Sequence, residues 1–180
     1  MSKFVILSGC SGDGKSTLLA ELAKRGFAVA EDPGRRIVKQ QLESAGEALP
    51  WVNMAAFAHS AIRMALQDLV DAQKRSRLTF FDRGLVDAVA ALHHATGEAI
   101  SSDLIAANRY HEEVFMAPPW HEIYHADPER RHGLESAIAE YERLMNIYPA
   151  LGYKVRVLPK LAVGQRADYI LRHLPQELLR

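Results

Sequence analysis

The sequence predicts an α/β fold built on a five-stranded parallel sheet with helices on both faces. Short runs rich in apolar and β-branched residues alternate with longer segments of helical periodicity, which is the pattern of βαβ units. The runs at 4–8 and 78–82 are continuously apolar and end in Ser-Gly and Asp-Arg-Gly, as fully buried parallel strands do. Because a helix follows nearly every strand, right-handed crossovers should cover both faces of the sheet.

Five segments are predicted strands, and the fourth is the least regular because polar residues interrupt it. In chain order they are 4–8, 27–31, 78–82, 122–125 and 153–158. Seven segments carry apolar residues at helical spacing and are predicted helices. They are 15–25, 35–45, 53–74, 85–95, 103–115, 129–148 and 165–174. Ligands of parallel sheets bind at the carboxyl ends of the strands, so we expect the functional residues in the loops that follow them.

The composition is that of an ordinary globular protein, and 180 residues favour one domain over 1–180. Basic and acidic residues number 22 each, so the net charge of zero predicts neither a nucleic-acid nor a membrane partner. Cys10 is the single cysteine, which excludes an internal disulfide and fits a reducing compartment. No apolar run reaches the length of a membrane span or of a signal-peptide core, so a cytoplasmic location is expected. The oligomeric state stays open.

A glycine-rich motif lies between the first predicted strand and the first predicted helix. Residues 9–16 match G-x-x-x-x-G-K-[ST] at every fixed position. The glycines let the backbone approach phosphates closely, and the amides at the helix start then point at phosphate oxygens. Lys15 should reach the β- and γ-phosphates, and the Ser16 hydroxyl should ligate Mg²⁺. The predicted ATP-binding loop comprises Gly9, Cys10, Ser11, Gly12, Asp13, Gly14, Lys15, Ser16 and Thr17.

The third predicted strand ends in Phe81-Asp82-Arg83-Gly84. An aspartate that ends a buried strand downstream of a phosphate loop is a candidate for holding Mg²⁺. The alternative is that Asp82 caps the next helix. ATPase motors usually place a glutamate directly after this aspartate, whereas this chain has Arg83. A guanidinium at that place suits bidentate binding of an anionic or hydroxyl-bearing substrate.

These strand ends resemble known kinase families. Asp82-Arg83 resembles thymidylate kinases and deoxynucleoside kinases. The second strand end, Glu31-Asp32-Pro33, is followed by Arg35 and Arg36. It resembles the acidic strand end of deoxynucleoside kinases and the Glu-x-x-x-Arg of the ribosylnicotinamide kinase domain of NadR-type proteins.

Over nearly its whole length the chain is similar to the NadR-like AAA domain family of predicted ATPases and kinases. Besides the motifs above, the resemblance runs through Leu49-Pro50-Trp51, Arg109-Tyr110, Pro119-Trp120, Glu129-Arg130-Arg131, Gly152-Tyr153 and Leu158-Pro159. It implies a three-layer P-loop NTPase fold, with strand order 2-3-1-4-5 and a helical lid around 127–148. In such lids arginines touch the triphosphate, which makes Arg130 and Arg131 candidates for nucleotide binding and Arg130 one for catalysis. The alternative is a solvated charged turn.

The substrate side of the site is predicted from Glu31, Arg35, Arg36 and Arg83. Glu31 is the candidate base or acceptor-orienting group, because a strand-end carboxylate facing the phosphate loop could accept a hydroxyl proton. The alternative is an ion pair with one of the three arginines that only shapes the cleft. The sequence leaves open whether Glu31 or Asp82 lies closer to an acceptor.

Two functions remain in competition. The first is a small-molecule kinase that transfers the γ-phosphoryl group of ATP to a nucleoside-like or other metabolite acceptor. The second is a nucleotide-dependent switch or slow NTPase, which needs only the loop and Asp82. The chain has no Asn-Lys-x-Asp guanine motif, so ATP should be preferred over GTP. A kinase must keep an open polar cavity facing the γ-phosphate position, with Glu31 and Arg83 within several ångströms of each other. If the Glu31 carboxylate points away from the cleft, or a core side chain fills the space between it and Lys15, the kinase hypothesis fails and the switch takes its place.

Overall fold

Five parallel strands in the order β2-β3-β1-β4-β5 form the central layer of the molecule. The computed structural model describes residues 2–10, 12–123 and 133–179. The strands are β1 (Phe4–Gly9), β2 (Ala28–Ala30), β3 (Thr79–Asp82), β4 (Glu113–Ala117) and β5 (Lys154–Val157). Because β1 pairs with both β3 and β4, its carboxyl end lies in the middle of the sheet. The predicted sheet and its strand order are confirmed.

Helices cover both faces of this sheet. They are α1 (Lys15–Lys24), α2 (Pro33–Ser44), α3 (Met54–Arg75), α4 (Leu85–Thr96), α5 (Ser102–Ala107), α6 (Leu134–Ala150) and α7 (Val163–His173), with 3₁₀ turns at His121–Ile123 and Gln176–Leu178. Successive strand residues point to opposite faces. Ile6 and Phe81 therefore pack with α3, α4 and α6, whereas Leu7 and Phe80 pack with α1 and α7. The three-layer architecture is confirmed.

The fourth strand is not where the sequence pattern placed it. The predicted strand at 122–125 is wrong, because residues 121–123 form a 3₁₀ turn and the strand is Glu113–Ala117. The predicted helix 103–115 is correspondingly replaced by the short α5 and by this strand. Residues 114–117 are buried between neighbouring strands and are followed by Pro118-Pro119, which cannot continue a sheet ladder. A run of four apolar residues fits a helix or a strand equally well by periodicity alone.

Apart from α6, which begins at Leu134 and not at the predicted Glu129, the remaining elements begin and end close to their predicted bounds. Of the expected lid at 127–148, residues 127–132 lie outside the described residues, and the rest from Leu134 onward belongs to α6. Helix boundaries commonly shift by one or two residues, so the small differences at α1, α2 and α7 carry no structural meaning. Within the described part of the chain, no helix combines the length and apolar character that a membrane crossing requires.

Candidate active site

The loop between β1 and α1 has the backbone conformation expected of a phosphate loop. Gly9, Gly12 and Gly14 adopt φ angles of 135°, 87° and 79°. At Gly9 a Cβ atom would lie 2.3 Å from the carbonyl oxygen of Ala117, so no larger residue fits beside β4. The loop turns directly into α1, which starts at Lys15. Of the other predicted loop residues, Ser16 and Thr17 are exposed, Cys10 is buried, and Ser11 lies outside the described residues.

The Lys15 ammonium group is bound inside the loop itself. It donates to the Cys10 carbonyl oxygen at 2.6 Å and to both carboxylate oxygens of Asp13 at 2.9 Å. Asp13 is buried, which raises the pKa of its carboxyl group, and the nearby Lys15 opposes that rise. Arg166 of α7 donates to the Asp13 carbonyl oxygen at 3.3 Å, which connects the loop to α7. A triphosphate must therefore take Lys15 away from Asp13.

Asp13→Asn should strengthen ATP binding about tenfold, which corresponds to about 1.4 kcal/mol. The substitution keeps the size of the side chain but removes the charge that competes with phosphate oxygens for Lys15. Titration calorimetry with ATP and Mg²⁺ would measure the change, and Asp103→Asn on the exposed side of α5 is the matched control. Equal or weaker binding by the Asp13 variant would show that the pair orients Lys15 rather than competing with the ligand.

Cys10 contributes its backbone and not its thiol. Its side chain is 1 % exposed, and burial raises the pKa of the thiol to about 11. Cys10 is therefore a protonated thiol at neutral pH, which is a poor nucleophile. Its carbonyl oxygen is the part that reaches the site, through Lys15.

Ser16 and Asp82 lie together at the end of β3, as a magnesium site requires. The Ser16 hydroxyl donates to Asp82 Oδ2 at 3.1 Å. Asp82 Oδ1 is buried and has no hydrogen-bond partner among the described residues. Burial raises the pKa of Asp82 to about 6, with Lys15 opposing, and a bound cation would favour the ionised form. One carboxylate, one hydroxyl and phosphate oxygens are the donor set that Mg²⁺ takes in P-loop sites, so the residues present fit this ion.

Arg83 adopts a left-handed conformation, with φ at 63°, and its side chain crosses the carboxyl edge of the sheet. Its Nη1 and Nη2 bind the two carboxylate oxygens of Glu140 on α6 at 2.6 and 3.0 Å. Nη2 also donates to the Gly9 carbonyl oxygen at 3.2 Å, which ties the guanidinium to the phosphate loop. Its Nε lies 3.7 Å from Asp32 Oδ2 and is buried without a hydrogen bond among the described residues. Arg83 therefore links the loop, α2 and α6.

The acidic residue at the end of β2 that faces this cleft is Asp32, not Glu31. Glu31 is exposed and is absent from the cavity wall, whereas Asp32 forms part of it and approaches Arg83. The reason is local: β2 ends at Ala30, and Asp32 Oδ1 accepts from the Gly34 amide at 2.7 Å to cap α2. This capping turns Asp32 inward. Glu31 is expected from the sequence to approach Arg83. The carboxylate that approaches Arg83 is instead that of Asp32, one residue later in the chain.

The two arginines of α2 have different surroundings. Arg35 lines the cavity, and its role on the substrate side stays a prediction. Arg36 forms an ion pair with Asp68 of α3 and does not line the cavity. Its guanidinium therefore joins α2 to α3. The predicted lid residues Arg130 and Arg131 lie outside the described residues.

A cavity of about 160 Å³ has Arg83 in its wall, and through the hydrogen bond from Arg83 to the Gly9 carbonyl oxygen it is connected to the phosphate loop. Its volume is room for on the order of ten water molecules, and so for a small metabolite rather than a single ion. Its wall combines charged groups with a larger apolar part from α2, α3 and α4. The lining residues are Asp32, Pro33, Gly34, Arg35, Val38, Pro50, Met54, Phe57, Ala61, Arg83, Gly84, Asp87, Ala88, Ala91 and Glu140. The wall therefore leaves room for a small ligand next to Asp32 and Arg83, while the described residues of the loop, 9–10 and 12–17, do not line it.

Asp87 is buried in the wall of this cavity, where it connects several elements through hydrogen bonds. It accepts hydrogen bonds from the Ser8 hydroxyl at 2.5 Å, the Tyr148 hydroxyl at 2.6 Å and the Gly84 amide at 3.0 Å. Burial raises the pKa of Asp87, and Arg83 with these donors opposes the rise. The network joins β1, α4 and α6, so the helix that carries Glu140 is held at two points. At Gly84 a Cβ would lie 2.6 Å from Ile6, which explains the glycine after Arg83.

Comparison with protein families gives one match that spans most of the chain. The model described as "AAA domain" matches residues 4–166. No curated protein matches the sequence. The matched region runs from the start of β1 to the first turns of α7 and so includes every site residue described above.

Three solved structures with a similar architecture are a thymidylate kinase, a shikimate kinase and a deoxyadenosine kinase. Thymidylate kinase from Ehrlichia chaffeensis superposes with a TM-score of 0.65 at 14 % identity, over 97 % of this chain and 99 % of that one. Shikimate kinase from Acinetobacter baumannii in complex with shikimate gives 0.61 at 13 %, over 96 % and 92 %. Deoxyadenosine kinase from M. mycoides with bound dATP gives 0.59 at 16 %, over 94 % and 97 %. At these identities the likeness shows a shared fold.

Proposed function

Because the chain belongs to the AAA domain family, we propose that it is a Mg²⁺-dependent kinase that transfers the γ-phosphoryl group of ATP to a hydroxyl group of a nucleoside-like or other small metabolite. The observation that carries the proposal is the open cavity with Asp32 and Arg83 in its wall, together with the hydrogen bond from Arg83 to the Gly9 carbonyl oxygen of the phosphate loop. A switch protein has no need for such a space, whereas a kinase must place its acceptor there. The fold shared with three small-molecule kinases supports the same function.

The nucleotide side is assigned to the loop and to α1. The loop amides and the Lys15 ammonium bind the β- and γ-phosphates at the positive end of α1. Ser16 and Asp82 would hold Mg²⁺, which supplies charge neutralisation between the β- and γ-phosphate oxygens when bound. Arg130 and Arg131, outside the described residues, keep their proposed place over the triphosphate. A cytoplasmic location and a preference for ATP over GTP belong to the same proposal.

The acceptor side is assigned to Asp32 and Arg83. Asp32 Oδ2 lies 3.7 Å from Arg83 Nε, which is too long for a direct hydrogen bond, so Oδ2 can accept from the hydroxyl group of an acceptor while Arg83 lies in the same wall. The acceptor oxygen would bond to the γ-phosphorus as the bond to the bridging oxygen of ADP breaks, while its proton passes to Asp32. The role of base expected for Glu31 falls to Asp32, because Glu31 is exposed outside the cavity.

A screen of hydroxyl-bearing metabolites for ADP release tests the proposal directly. The protein, ATP and Mg²⁺ are incubated with each compound, and the reaction with water alone gives the background. We expect at least one compound to raise ADP release at least about tenfold, because an oriented acceptor outcompetes water for the phosphoryl group. The phosphorylated product should appear in equal amount by mass spectrometry.

The alternative is a nucleotide-dependent switch or a slow NTPase, and the exposed position of Glu31 is the observation in its favour. In that case ATP would bind, ADP would form at the rate set by water, and no compound would change it. If ATP binds tightly and no compound in the screen changes the rate of ADP release, the kinase proposal is wrong and the switch is the better explanation.

A further inference from the structure

The positive charge of Arg83 is already neutralised by a carboxylate of the protein itself, that of Glu140. Its guanidinium meets the Glu140 carboxylate end-on through two parallel hydrogen bonds of 2.6 and 3.0 Å. Burial opposes ionisation of Glu140, but the adjacent Arg83, with Lys15 and Arg143, outweighs burial and lowers the pKa of its carboxyl group. This is the geometry in which an arginine would otherwise bind a phosphate or a carboxylate of a ligand. Glu140 thus occupies the anion site of Arg83.

Among the charged side chains of the wall, three carboxylates (Asp32, Asp87 and Glu140) face two guanidinium groups (Arg35 and Arg83), so acidic groups are in excess. Asp32 and Asp87 are carboxylates in the same wall, and Asp87 is enclosed by its own hydrogen-bond donors. A dianionic ligand would have to displace Glu140 from Arg83 and would then face several carboxylates at close range. Like charges at such distances in a partly buried site repel strongly. Electrostatic repulsion therefore disfavours the binding of anions on the Arg83 side of the cavity.

Apart from Arg35, the rest of the wall is largely apolar. Pro33, Val38, Met54, Phe57 and Ala61 contribute side chains from α2 and α3. An aromatic ring and aliphatic groups around a few polar atoms are typical of sites for flat or cyclic organic ligands. Asp32 also lies in this wall, and its Oδ2 can accept a hydrogen bond from one hydroxyl group.

Resting on the proposed function, we propose that the acceptor is an uncharged, ring-bearing alcohol of the class that unphosphorylated nucleosides represent, and that Glu140 is the residue that excludes phosphorylated acceptors. Glu140 acts through Arg83, since its carboxylate takes the two guanidinium nitrogens that a phosphate group would need. Specificity of this kind comes from repulsion of the wrong ligand as much as from attraction of the right one.

Four 2′-deoxynucleosides and their 5′-monophosphates form matched probe pairs that differ by one phosphate group. Binding of each is measured by titration calorimetry on the protein saturated with a non-hydrolysable ATP analogue and Mg²⁺, so that the phosphate loop is filled. For at least one pair we expect the nucleoside to bind at least about tenfold more tightly than its monophosphate. Tighter binding of the monophosphates, or binding of neither class, would overturn the inference.

Substitutions at Glu140 separate charge from shape. Glu140→Gln keeps the size of the side chain and removes the charge, so the preference for nucleoside over monophosphate should shrink at least about tenfold. Glu140→Asp keeps the charge and should preserve the preference, while Glu142→Gln on the exposed side of α6 is the matched control. Circular dichroism and thermal unfolding establish that each variant is folded. An unchanged preference in folded Glu140→Gln would overturn the role of Glu140.

ADP release with the same probes distinguishes failure of this inference from failure of the kinase proposal. If the nucleosides bind as expected but ADP release stays at the rate seen with water, the cavity has the proposed specificity and phosphoryl transfer is wrong. If monophosphates bind more tightly and are phosphorylated, transfer stands and the charge class of the acceptor is wrong.

Discussion

Lys15→Ala is expected to weaken ATP binding at least about a hundredfold, or about 2.7 kcal/mol, and to abolish turnover. Lys15 is the cation that the phosphate loop itself provides, and its ammonium group already meets three oxygen acceptors there. Its loss has a second consequence in this chain, because Asp13 is left as a buried carboxylate beside the triphosphate. Both effects act against binding. Calorimetry with ATP and Mg²⁺ measures the affinity, and ADP release measures the turnover.

The double variant Lys15→Ala with Asp13→Asn separates these two effects. It removes the cation and the competing anion together, so its ATP affinity should lie between those of wild type and of Lys15→Ala. Circular dichroism should show the same helix content in all three proteins. Unchanged affinity and unchanged turnover in folded Lys15→Ala would mean that the loop does not bind the phosphates.

The phosphate loop could be predicted from the sequence because it is local. A contiguous motif of eight residues specifies the positive φ angles at Gly9, Gly12 and Gly14 and places Lys15 and Ser16 at the start of α1. The strand order could be predicted from the resemblance to P-loop proteins, and it is confirmed. Asp82 at the end of β3 could be predicted because a buried strand of apolar residues ends there. The loop and Asp82 depend on neighbours in sequence, whereas the strand order is a long-range pairing that could be predicted from the resemblance alone.

Features that depend on distant contacts could not be predicted. Glu140 is separated from Arg83 by 57 positions and lies in an amphipathic helix where a glutamate normally faces solvent. Tyr148 and Ser8 reach Asp87 from elements at opposite ends of the chain. The sequence gives Asp87 a simple helix-start explanation, which is correct for its bond to the Gly84 amide and misses the other two donors.

The choice between Glu31 and Asp32 shows how one residue can decide a site. Both carboxylates follow β2, and side chains at successive strand positions point to opposite sides. An aspartate before a proline is a typical helix N-cap, and this signal in Asp32-Pro33 could have identified the residue that turns inward. The sequence pattern marked the strand end correctly and assigned the wrong carboxylate to the cleft.

That pair of neighbouring carboxylates provides the sharpest test of the kinase proposal. Asp32→Asn should reduce acceptor-stimulated ADP release at least about a hundredfold, because a general base usually contributes a factor of that size. The affinity for ATP should stay within about twofold of the wild-type value. Asparagine caps a helix as well as aspartate does, so α2 should keep its start and the fold its stability. Arg83→Ala should also remove the acceptor-stimulated ADP release. Because it also leaves the Glu140 carboxylate without its ion-pair partner, a loss of activity in this variant has two causes. A loss of activity in Asp32→Asn has one cause and is easier to interpret.

Glu31→Gln is the matched control, since it removes one carboxylate from the adjacent, exposed position. Under the kinase proposal it should retain acceptor-stimulated turnover close to that of wild type, because Glu31 does not line the cavity. The measurement is kcat/KM for the best acceptor from the metabolite screen, with ATP saturating and the water-only rate subtracted. A large loss in Glu31→Gln with normal turnover in Asp32→Asn would return the role of base to Glu31. Equal, wild-type turnover in both variants would mean that neither carboxylate accepts the hydroxyl proton, because a base in contact with the reacting oxygen cannot lose its charge without a loss of rate.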